Sequence, residues 1–281
     1  STAIIVAGAG WVCLALAEEA APPDQTSRME RMKIPAPTLL YHIQNPFARI
    51  PQLPIENQFQ FGLGATGAMA YELGVRPIIP FDLSDEYALV TRTTFRLHYE
   101  QAQEPGGPGY TGMGDIDQEF YFTTDHALDG KWIFGAGPVI RWPTATHSHF
   151  GGQLWGTGPA AGVIFQPAGV DASSGWTFMF LSHHLFDIAG RSEKGSLSYT
   201  YLMPELSYTT EGGTNVYLDT EPVYDWIRHQ WVVPINFSVS QLMRPAGQSL
   251  VLTLGGQYFA YRAVDGPEWG GQLSVDLLFP E

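Results

Sequence analysis

Apolar and polar residues alternate along most of the chain from residue 56 to the end. The alternation has a period of two residues, and clusters of Gly, Pro, Asp and Ser divide it into short segments. Because successive side chains of a strand point to opposite faces, each segment predicts a strand with one apolar and one polar face. Twelve strands are predicted in this way, near residues 56–64, 68–81, 86–100, 115–124, 131–143, 153–166, 175–188, 196–210, 214–225, 229–242, 248–261 and 269–279.

Alternation by itself is common to a soluble β-sandwich and a transmembrane β-barrel, so it does not distinguish them. Connection lengths favour the barrel, because short turns at one end and longer loops at the other are typical of outer-membrane barrels. The last segment also alternates almost to the end of the chain, as a closing strand does. The short connections are 82–85, 211–213 and 244–247, and the longer ones between them are 101–114, 143–152 and 262–268.

Aromatic residues cluster near the ends of the predicted strands. Amphipathic rings at these positions are expected at the two lipid–water interfaces of a membrane barrel. The residues are Tyr87, Tyr99, Tyr110, Tyr121, Trp132, Trp142, Trp155, Trp176, Phe186, Tyr199, Tyr208, Tyr224, Trp226, Trp231, Tyr261 and Trp269.

The composition agrees with a membrane protein built from strands. Hydrophobic residues make up 44% of the chain and charged residues only 15%, a balance that disfavours disorder. The net charge of -14, with no basic cluster, argues against nucleic acid as a partner. No later stretch approaches the roughly 20 apolar residues of a spanning helix. The sequence therefore predicts an all-β fold, a transmembrane antiparallel up-and-down β-barrel of about 12 strands over residues 56–281.

The N-terminal residues predict a different organisation. Residues 1–17 are largely apolar and end in an Ala-x-Ala pattern, so we interpret them as a signal peptide, truncated at its start and cleaved after Ala17. The only cysteine, Cys13, lies within it, so the mature chain is expected to lack disulfides. Residues 18–55 are proline-rich and predict an extended periplasmic leader with little structure of its own. Whether this leader plugs the barrel or hangs free is left open by the sequence.

Ten short motifs, each weak alone, occur in order along the chain with the spacing of one bacterial family. On these motifs the chain from Asn45 onward resembles the outer-membrane transporter family associated with phenol degradation, whose members often carry the name neuromedin U in bacterial genomes. The motifs are Asn45-Pro46, Gln58-Phe59-Gln60-Phe61-Gly62, Arg76-Pro77-Ile78-Ile79-Pro80-Phe81, Gly112-Met113-Gly114-Asp115-Ile116, Trp132-Ile133-Phe134-Gly135-Ala136-Gly137-Pro138, Pro143-Thr144-Ala145-Thr146, Gly156-Thr157-Gly158-Pro159-Ala160, Tyr224-Asp225-Trp226, Gln230-Trp231-Val232-Val233-Pro234 and Leu277-Leu278-Phe279-Pro280.

The resemblance implies a barrel in the bacterial outer membrane and a role as a channel or transporter for small molecules, with aromatic or hydrophobic compounds as the permeants that the family association suggests. We expect no enzymatic activity and no cofactor. The expected partners are outer-membrane lipids and lipopolysaccharide, a small-molecule permeant and, during biogenesis, the barrel-assembly machinery. The alternatives are a plugged structural or adhesion barrel and an outer-membrane lipid hydrolase.

Charged side chains concentrate on the polar faces of the second to fifth predicted strands. Strand residues two apart share a face and adjacent strands lie about 4.8 Å apart, so these side chains are expected to meet inside the barrel. The patch either selects permeants at a constriction or neutralises charges by salt bridges in a narrow lumen, and one network can serve both purposes. The predicted lumen and selectivity residues are Glu72, Arg76, Arg92, Arg96, His98, Asp117, Glu119 and Arg141.

Two other groups of residues raise the question of chemistry. Ser182, His183 and His184 with nearby Asp187 would suit a serine hydrolase, but adjacent strand residues point to opposite faces and no Gly-x-Ser-x-Gly elbow is present. A structural or lumen histidine is therefore the favoured interpretation, and no catalytic residue is assigned.

Metal binding has even less support in the sequence. His147 and His149 lie two apart in a predicted loop but lack a third ligand. Asp115 and Asp117 form only part of a calcium-loop pattern. We therefore expect no metal site.

Overall fold

The computed structural model describes residues 34–124, 127–190 and 195–280. The described strands form one antiparallel sheet that closes on itself, because the first strand, β1 (Gln52–Leu63), pairs with the last strand, β15 (Trp269–Leu278). The other strands are β2 (Ala68–Val75), β3 (Ile78–Asp82), β4 (Tyr87–Glu100), β5 (Tyr110–Met113), β6 (Ile116–Thr124), β7 (Trp132–Trp142), β8 (Leu154–Phe165), β9 (Gly175–Gly190), β10 (Ser198–Thr209), β11 (Thr214–Thr220), β12 (Val223–Asp225), β13 (Gln230–Met243) and β14 (Leu250–Tyr261).

The fold is a closed barrel of twelve antiparallel strands, which confirms the predicted architecture. Three of the twelve are interrupted, since β2 with β3, β5 with β6, and β11 with β12 each form one strand of the wall. Two of the breaks fall at Pro77 and Pro222, where the backbone lacks an N–H for the ladder. An ionisable lumen residue precedes each of them, Arg76 and Glu221.

Two boundaries differ from the prediction. The wall begins at Gln52 rather than at residue 56, because Pro54 is accommodated between β15 and β2 and its carbonyl accepts a hydrogen bond from the N–H of Arg76, at 2.9 Å. The predicted loop 101–114 ends earlier, because β5 pairs with β4 and extends the wall. The predicted signal peptide, residues 1–17, and the leader as far as residue 33 lie outside the described residues.

Because the number of antiparallel strands is even, the wall begins and finishes at the same end of the barrel. The terminal end holds the start of β1 and the end of β15, and the loop end holds the connections 101–109, 143–153 and 262–268. No helix within the described part of the chain has the length and hydropathy to cross a membrane.

The outer surface of the barrel is apolar. Outward residues such as Phe95, Phe237 and Leu254 expose 37%, 56% and 67% of their surface, which is the expected exterior of a barrel that faces lipid. Aromatic rings form a belt near each end, as predicted. The loop-end belt contains Tyr99, Trp142, Trp155, Trp231, Tyr261 and Trp269, and the terminal-end belt contains Tyr87, Trp132, Trp176 and Tyr208.

Two of the aromatic residues predicted at the interfaces point inward instead. Tyr121 is 1% exposed and donates a hydrogen bond to Glu119, and the hydroxyl of Tyr199 accepts one from Arg141. The reason is parity, because Tyr121 shares a strand face with Asp117 and Glu119. The alternation was therefore a better indicator of whether an aromatic side chain faces outward than its position near a strand end.

Residues 35–51, named here the plug segment, fold into the terminal end of the barrel. Helix α1 (Ala36–His42) begins after Pro35 and buries Leu39, Leu40 and Tyr41 completely. The side chain of Gln166, just after β8, donates to the carbonyl of Tyr41 at 3.1 Å. Asn215 of β11 donates to the side chain of Gln44 at 3.0 Å, so both sides of the barrel hold the segment.

Phe47 anchors the plug segment in a slot made by two glycines. Gly135 of β7 and Gly162 of β8 are direct cross-strand partners, and a Cβ at either position would lie 2.7 or 2.8 Å from the Phe47 ring. The ring also packs on Tyr121, with 5.0 Å between centroids. The described part of the leader is therefore a docked plug, with the start of β1 after it, rather than an extended chain.

Candidate lumen site

The lumen contains a cavity of about 500 Å³ on the loop-end side of the plug segment. Ile43 and Gln44 of the plug segment contribute to its lining, and Gln60 and Glu72 line it towards the loop end. A second cavity of about 400 Å³ at the loop end shares Gln60 and Glu72 with the first. Four arginines and eight carboxylates line the main cavity, so its surface is strongly polar.

The predicted charged residues form two tiers of ion pairs on the β1 to β7 side of the lumen. In the tier nearer the plug segment, Arg92 Nη1 lies 3.2 Å from Glu119 Oε2. The other oxygen of Glu119 lies 2.7 Å from Nδ1 of His183 and accepts a hydrogen bond from Tyr121. Register explains the pairing, because Arg92 and Glu119 are direct cross-strand partners on β4 and β6.

The tier nearer the loop end is centred on Asp117. Its two oxygens accept bonds of 2.7 Å from Nε and Nη2 of Arg141, its cross-strand partner on β7. Arg96 Nη1 adds a contact of 3.2 Å to Asp117, and Arg96 Nε lies 3.5 Å from Glu72 Oε1. His98 Nδ1 lies 3.3 Å from the other oxygen of Glu72.

All eight predicted residues face the interior, but they form several separate groups rather than one patch. Arg76 stands apart from the two tiers and pairs with Glu56 of β1 at 3.2 Å. His98 lines the second cavity rather than the main one. The four arginines and their partners Glu56, Glu72, Asp117 and Glu119 are named here the arginine ladder. Each arginine of the ladder is bonded to at least one carboxylate.

Sequence reasoning missed four other carboxylates of the lumen. These carboxylates line the main cavity and form no salt bridge with any Lys, Arg or His of the described ranges, and we name them the acidic face. The alternation of β10 and β11 could have identified two of them as inward residues. The acidic face consists of Glu205 of β10, Asp219 of β11, Glu221 between β11 and β12, and Asp276 of β15.

The residues considered for hydrolase chemistry are separated by the strand geometry. His183 points inward to Glu119, whereas the side chain of His184 bonds to Thr200 at 2.9 Å and packs near Trp226. Asp187 accepts a hydrogen bond of 2.8 Å from the backbone of Leu197. These residues do not converge on a shared point, and His183 is the lumen histidine that the favoured interpretation allowed.

Of the residues considered for metal binding, Asp115 and His149 hold the long loop 143–153 in place, whereas Asp117 belongs to the arginine ladder. Asp115 accepts hydrogen bonds from the backbone of Ala145 at 3.0 Å and of Gly152 at 3.2 Å. His149 lies 2.5 Å from Glu100 and stacks on Tyr110, with 4.3 Å between centroids. Within the described ranges, no group of three His, Cys, Asp or Glu side chains has the geometry of a metal site.

Comparisons with known proteins agree on the fold. No protein-family model matches the sequence, and no curated protein matches it. Among solved structures, an outer membrane channel from Pseudomonas putida F1 aligns with a TM-score of 0.61 and 12% identity, over 82% of this chain and 95% of the channel. The porin NanC aligns with a TM-score of 0.51 and 11% identity, over 82% of this chain and all of the porin. At these identities the likeness establishes the barrel fold, and function has to be argued from the lumen.

Proposed function

We propose that the protein is a bacterial outer-membrane channel for the passive passage of small polar solutes, with a preference for cations. The observation that carries the proposal is the balance of charge in the main cavity. The four arginines are bonded to carboxylates of the arginine ladder, while the acidic face adds four carboxylates without such partners. A lumen with surplus carboxylates attracts cations and repels anions.

The exterior supports the location in the outer membrane. An apolar band between two aromatic belts suits a bilayer, and a closed barrel has no open edge within it. Both termini then face the periplasm, as in barrels with an even number of strands. The plug segment therefore lies on the periplasmic side, and solutes enter from the loop end. Outer-membrane lipids and lipopolysaccharide are the partners proposed for the exterior.

The lining supports polar permeants over aromatic or hydrophobic ones. Charged groups in the lumen favour solutes that replace water as hydrogen-bonding partners. The resemblance to the family associated with phenol degradation stays a prediction, and a phenol-like permeant needs its own transport measurement.

The test is the single-channel conductance of refolded residues 18–281 in a planar bilayer with a gradient of KCl. We expect discrete current steps and a reversal potential of the sign that indicates K⁺ selectivity over Cl⁻. Neutralising Glu205, Glu221 and Asp276 together, as Gln, Gln and Asn, should move the reversal potential towards zero. A folded barrel that gives no current steps would exclude the channel, and unaltered selectivity in the triple variant would exclude the acidic face as its cause.

A second variant tests the predicted constriction. Arg92 and Arg96 changed together to Ala should raise the preference for cations, because Glu119 and Glu72 then lose positive partners. If conductance and selectivity are unchanged in a folded variant, these two arginines do not line the narrowest part of the passage.

A further inference from the structure

Four glutamines of the lumen lie side by side on three adjacent strands. Gln60 of β1 and Gln257 of β14 are both direct cross-strand partners of Gly270 on β15, so the three residues form one row. In the next row towards the terminal end, Gln58 of β1 is the direct partner of Gln272 on β15. All four glutamines line the main cavity, and we name them the amide wall.

Most of the amide wall has hydrogen-bonding groups that the protein does not use. Gln272 donates to Ser238 at 2.8 Å. The side chains of Gln58, Gln60 and Gln257 form no hydrogen bond with any other residue of the described ranges. All three are partly exposed, so a solute in the cavity can reach them. Because an amide has two N–H donors and a carbonyl acceptor, the wall offers both kinds of group to that solute.

A glycine leaves room between two of these amides. Gly270 has no side chain on the lumen face, and the strands on its two sides lie about 9.6 Å apart, which is two strand spacings. A Cβ built on Gly270 would lie 3.2 Å from Oε1 of Gln257, so the amide of Gln257 turns towards this gap. Gln60 and Gln257 can therefore bind one solute from two sides.

The distribution of charge around the amide wall favours an uncharged solute. Gln60 and Gln257 have only uncharged cross-strand partners. Gln58 lies opposite Glu72, which already pairs with Arg96. An ion has no opposite charge to bind here, whereas a hydroxyl group both donates and accepts, as the amides do.

The amide wall is open to solutes from the loop end. Gln60 lines the main cavity and the second cavity, so it lies where the two meet. Phe259 of β14, the next inward residue after Gln257 towards the loop end, also lines the main cavity. Its ring offers an apolar surface beside the amides, a combination that is typical of sites for small molecules.

We propose that Gln58, Gln60 and Gln257 form a binding subsite for an uncharged, polyhydroxylated solute such as a monosaccharide. The proposal rests on the channel function proposed above and names a solute class for it. Binding is expected to be weak, because the hydroxyl groups replace water on the amides. Weak binding suits a channel, since a permeant has to leave its site again.

D-glucose is the probe, and tetrahydropyran is the matched control, because it is the ring of glucose without its hydroxyl groups. The measurement is saturation-transfer NMR of each solute with the refolded protein in detergent micelles, which detects weak binding without any ion flow. We expect a saturable signal for glucose. Any signal from tetrahydropyran should be the same in the parent protein and in variants of the amide wall.

Variants of Gln257 test the role of the amides. Gln257→Leu removes the amide from a side chain of similar size, and about tenfold more glucose should be needed for the half-maximal signal. Gln257→Glu keeps the length and polarity but removes both N–H donors, so it should also weaken binding, and it covers the case in which the leucine variant does not fold. Ser240→Ala, in the lumen nearer the terminal end, should bind glucose as the parent protein does.

A parent protein without a saturable glucose signal would overturn the proposal. A signal that Gln257→Leu and Gln60→Leu both leave unchanged would also overturn it, because glucose would then bind elsewhere. A stronger Gln257-dependent signal from acetamide than from glucose would assign the subsite to amide solutes instead.

The conductance experiment separates this proposal from the channel itself. Current steps without a saturable glucose signal keep the channel and remove the subsite. A glucose signal that depends on Gln257, in a barrel without current steps, keeps the subsite and removes the channel.

Discussion

At the scale of single residues, the buried charges of the arginine ladder are tolerated because its carboxylates accept from several donors at once. Asp117 binds Arg141 through two bonds and also binds Arg96, while Glu119 binds Arg92 and His183 through different oxygens. A buried ion is tolerated only when such partners replace the water it has lost. These bonds therefore connect β4, β6 and β7, and His183 extends the connection to β9.

Removing one partner of a buried pair should be far more damaging than removing an exposed one. The side chains of Arg92 and Glu119 are 8% and 6% exposed. We expect Glu119→Ala to lower the free energy of unfolding by about 3–5 kcal/mol, because Arg92 is left buried without its carboxylate. The measurement is equilibrium urea unfolding of the refolded barrel, followed by tryptophan fluorescence.

The matched control is Glu268→Ala, which breaks the pair with Arg262. These side chains are 55% and 41% exposed, so the loss should be about 1 kcal/mol or less. Similar losses for the two variants would show that burial does not govern the strength of the ladder.

At the scale of elements, docking of the plug segment depends on two wall positions, Gly135 and Gly162, that have no side chain. The three atoms nearest to a Cβ at Gly135 all belong to the Phe47 ring, the nearest at 2.7 Å, so Gly135→Ala should displace the ring from its slot. We expect larger or more frequent open steps in bilayer recordings of this variant. Phe47→Ala should have the same effect, because truncating a buried phenylalanine costs about 3–5 kcal/mol of packing.

The two changes can be combined to test the slot directly. Once the ring is gone, Gly135→Ala has nothing to displace, so the double variant should conduct like Phe47→Ala alone. Gly256→Ala on β14, where a Cβ meets no atom within 4 Å, should conduct like the parent protein. Additive effects in the double variant would mean that Gly135 acts on the wall and not through Phe47.

Acid should loosen the plug segment through His42. Burial lowers the pKa of His42 below its ordinary value of 6.5, against an opposing effect of Asp171. His42 is therefore harder to protonate when the plug segment is docked than when the segment is released. Docking should be strongest above pH 6.5 and weaken as the pH falls from 6.5 to the lowered pKa, below which no further change is expected. The open fraction in bilayer recordings should rise over this range.

Lumen carboxylates also titrate in acid, so the histidine effect has to be isolated. The difference between the parent protein and His42→Gln, measured from pH 8 to pH 5, removes effects common to both. A difference that does not depend on pH would assign the acid response to groups other than His42.

At the scale of the whole molecule, surplus carboxylates make selectivity depend on salt. The Debye length falls from about 10 Å at 0.1 M to about 3 Å at 1 M, so the acidic face acts over less of the lumen as salt rises. We expect the permeability ratio of K⁺ to Cl⁻ to fall towards one between these concentrations. A ratio that stays constant in reversal-potential measurements would point to a constriction in which permeants touch the charges directly.

The sequence predicted the barrel well because its signal is repeated in every strand. Twelve alternating segments were found within a few residues, and parity placed Arg92, Arg96 and Asp117 on one face. The alternation of β10 and β11 could have placed Glu205 and Asp219 in the lumen, but it could not show that Glu221 and Asp276 line the same cavity in the closed wall. Alternation reports which face a residue occupies, and it carries no information about what lies across the lumen.

The plug segment could not be predicted for a related reason. Its prolines indicate an extended chain, and a helix of seven residues has little stability without tertiary contacts. What fixes it is the match between Phe47 and two glycines that lie far away in the sequence.

The plug segment also constrains the order in which the molecule is assembled. It precedes every strand of the barrel wall in the sequence and is therefore synthesised before them. Its binding groups belong to β6, β7, β8 and β11, and the barrel closes only when β15, at the far end of the sequence, pairs with β1. The part of the protein that is made early can thus make all of its contacts only after β11 has joined the wall, so a fully docked plug segment marks a wall that is assembled at least as far as β11.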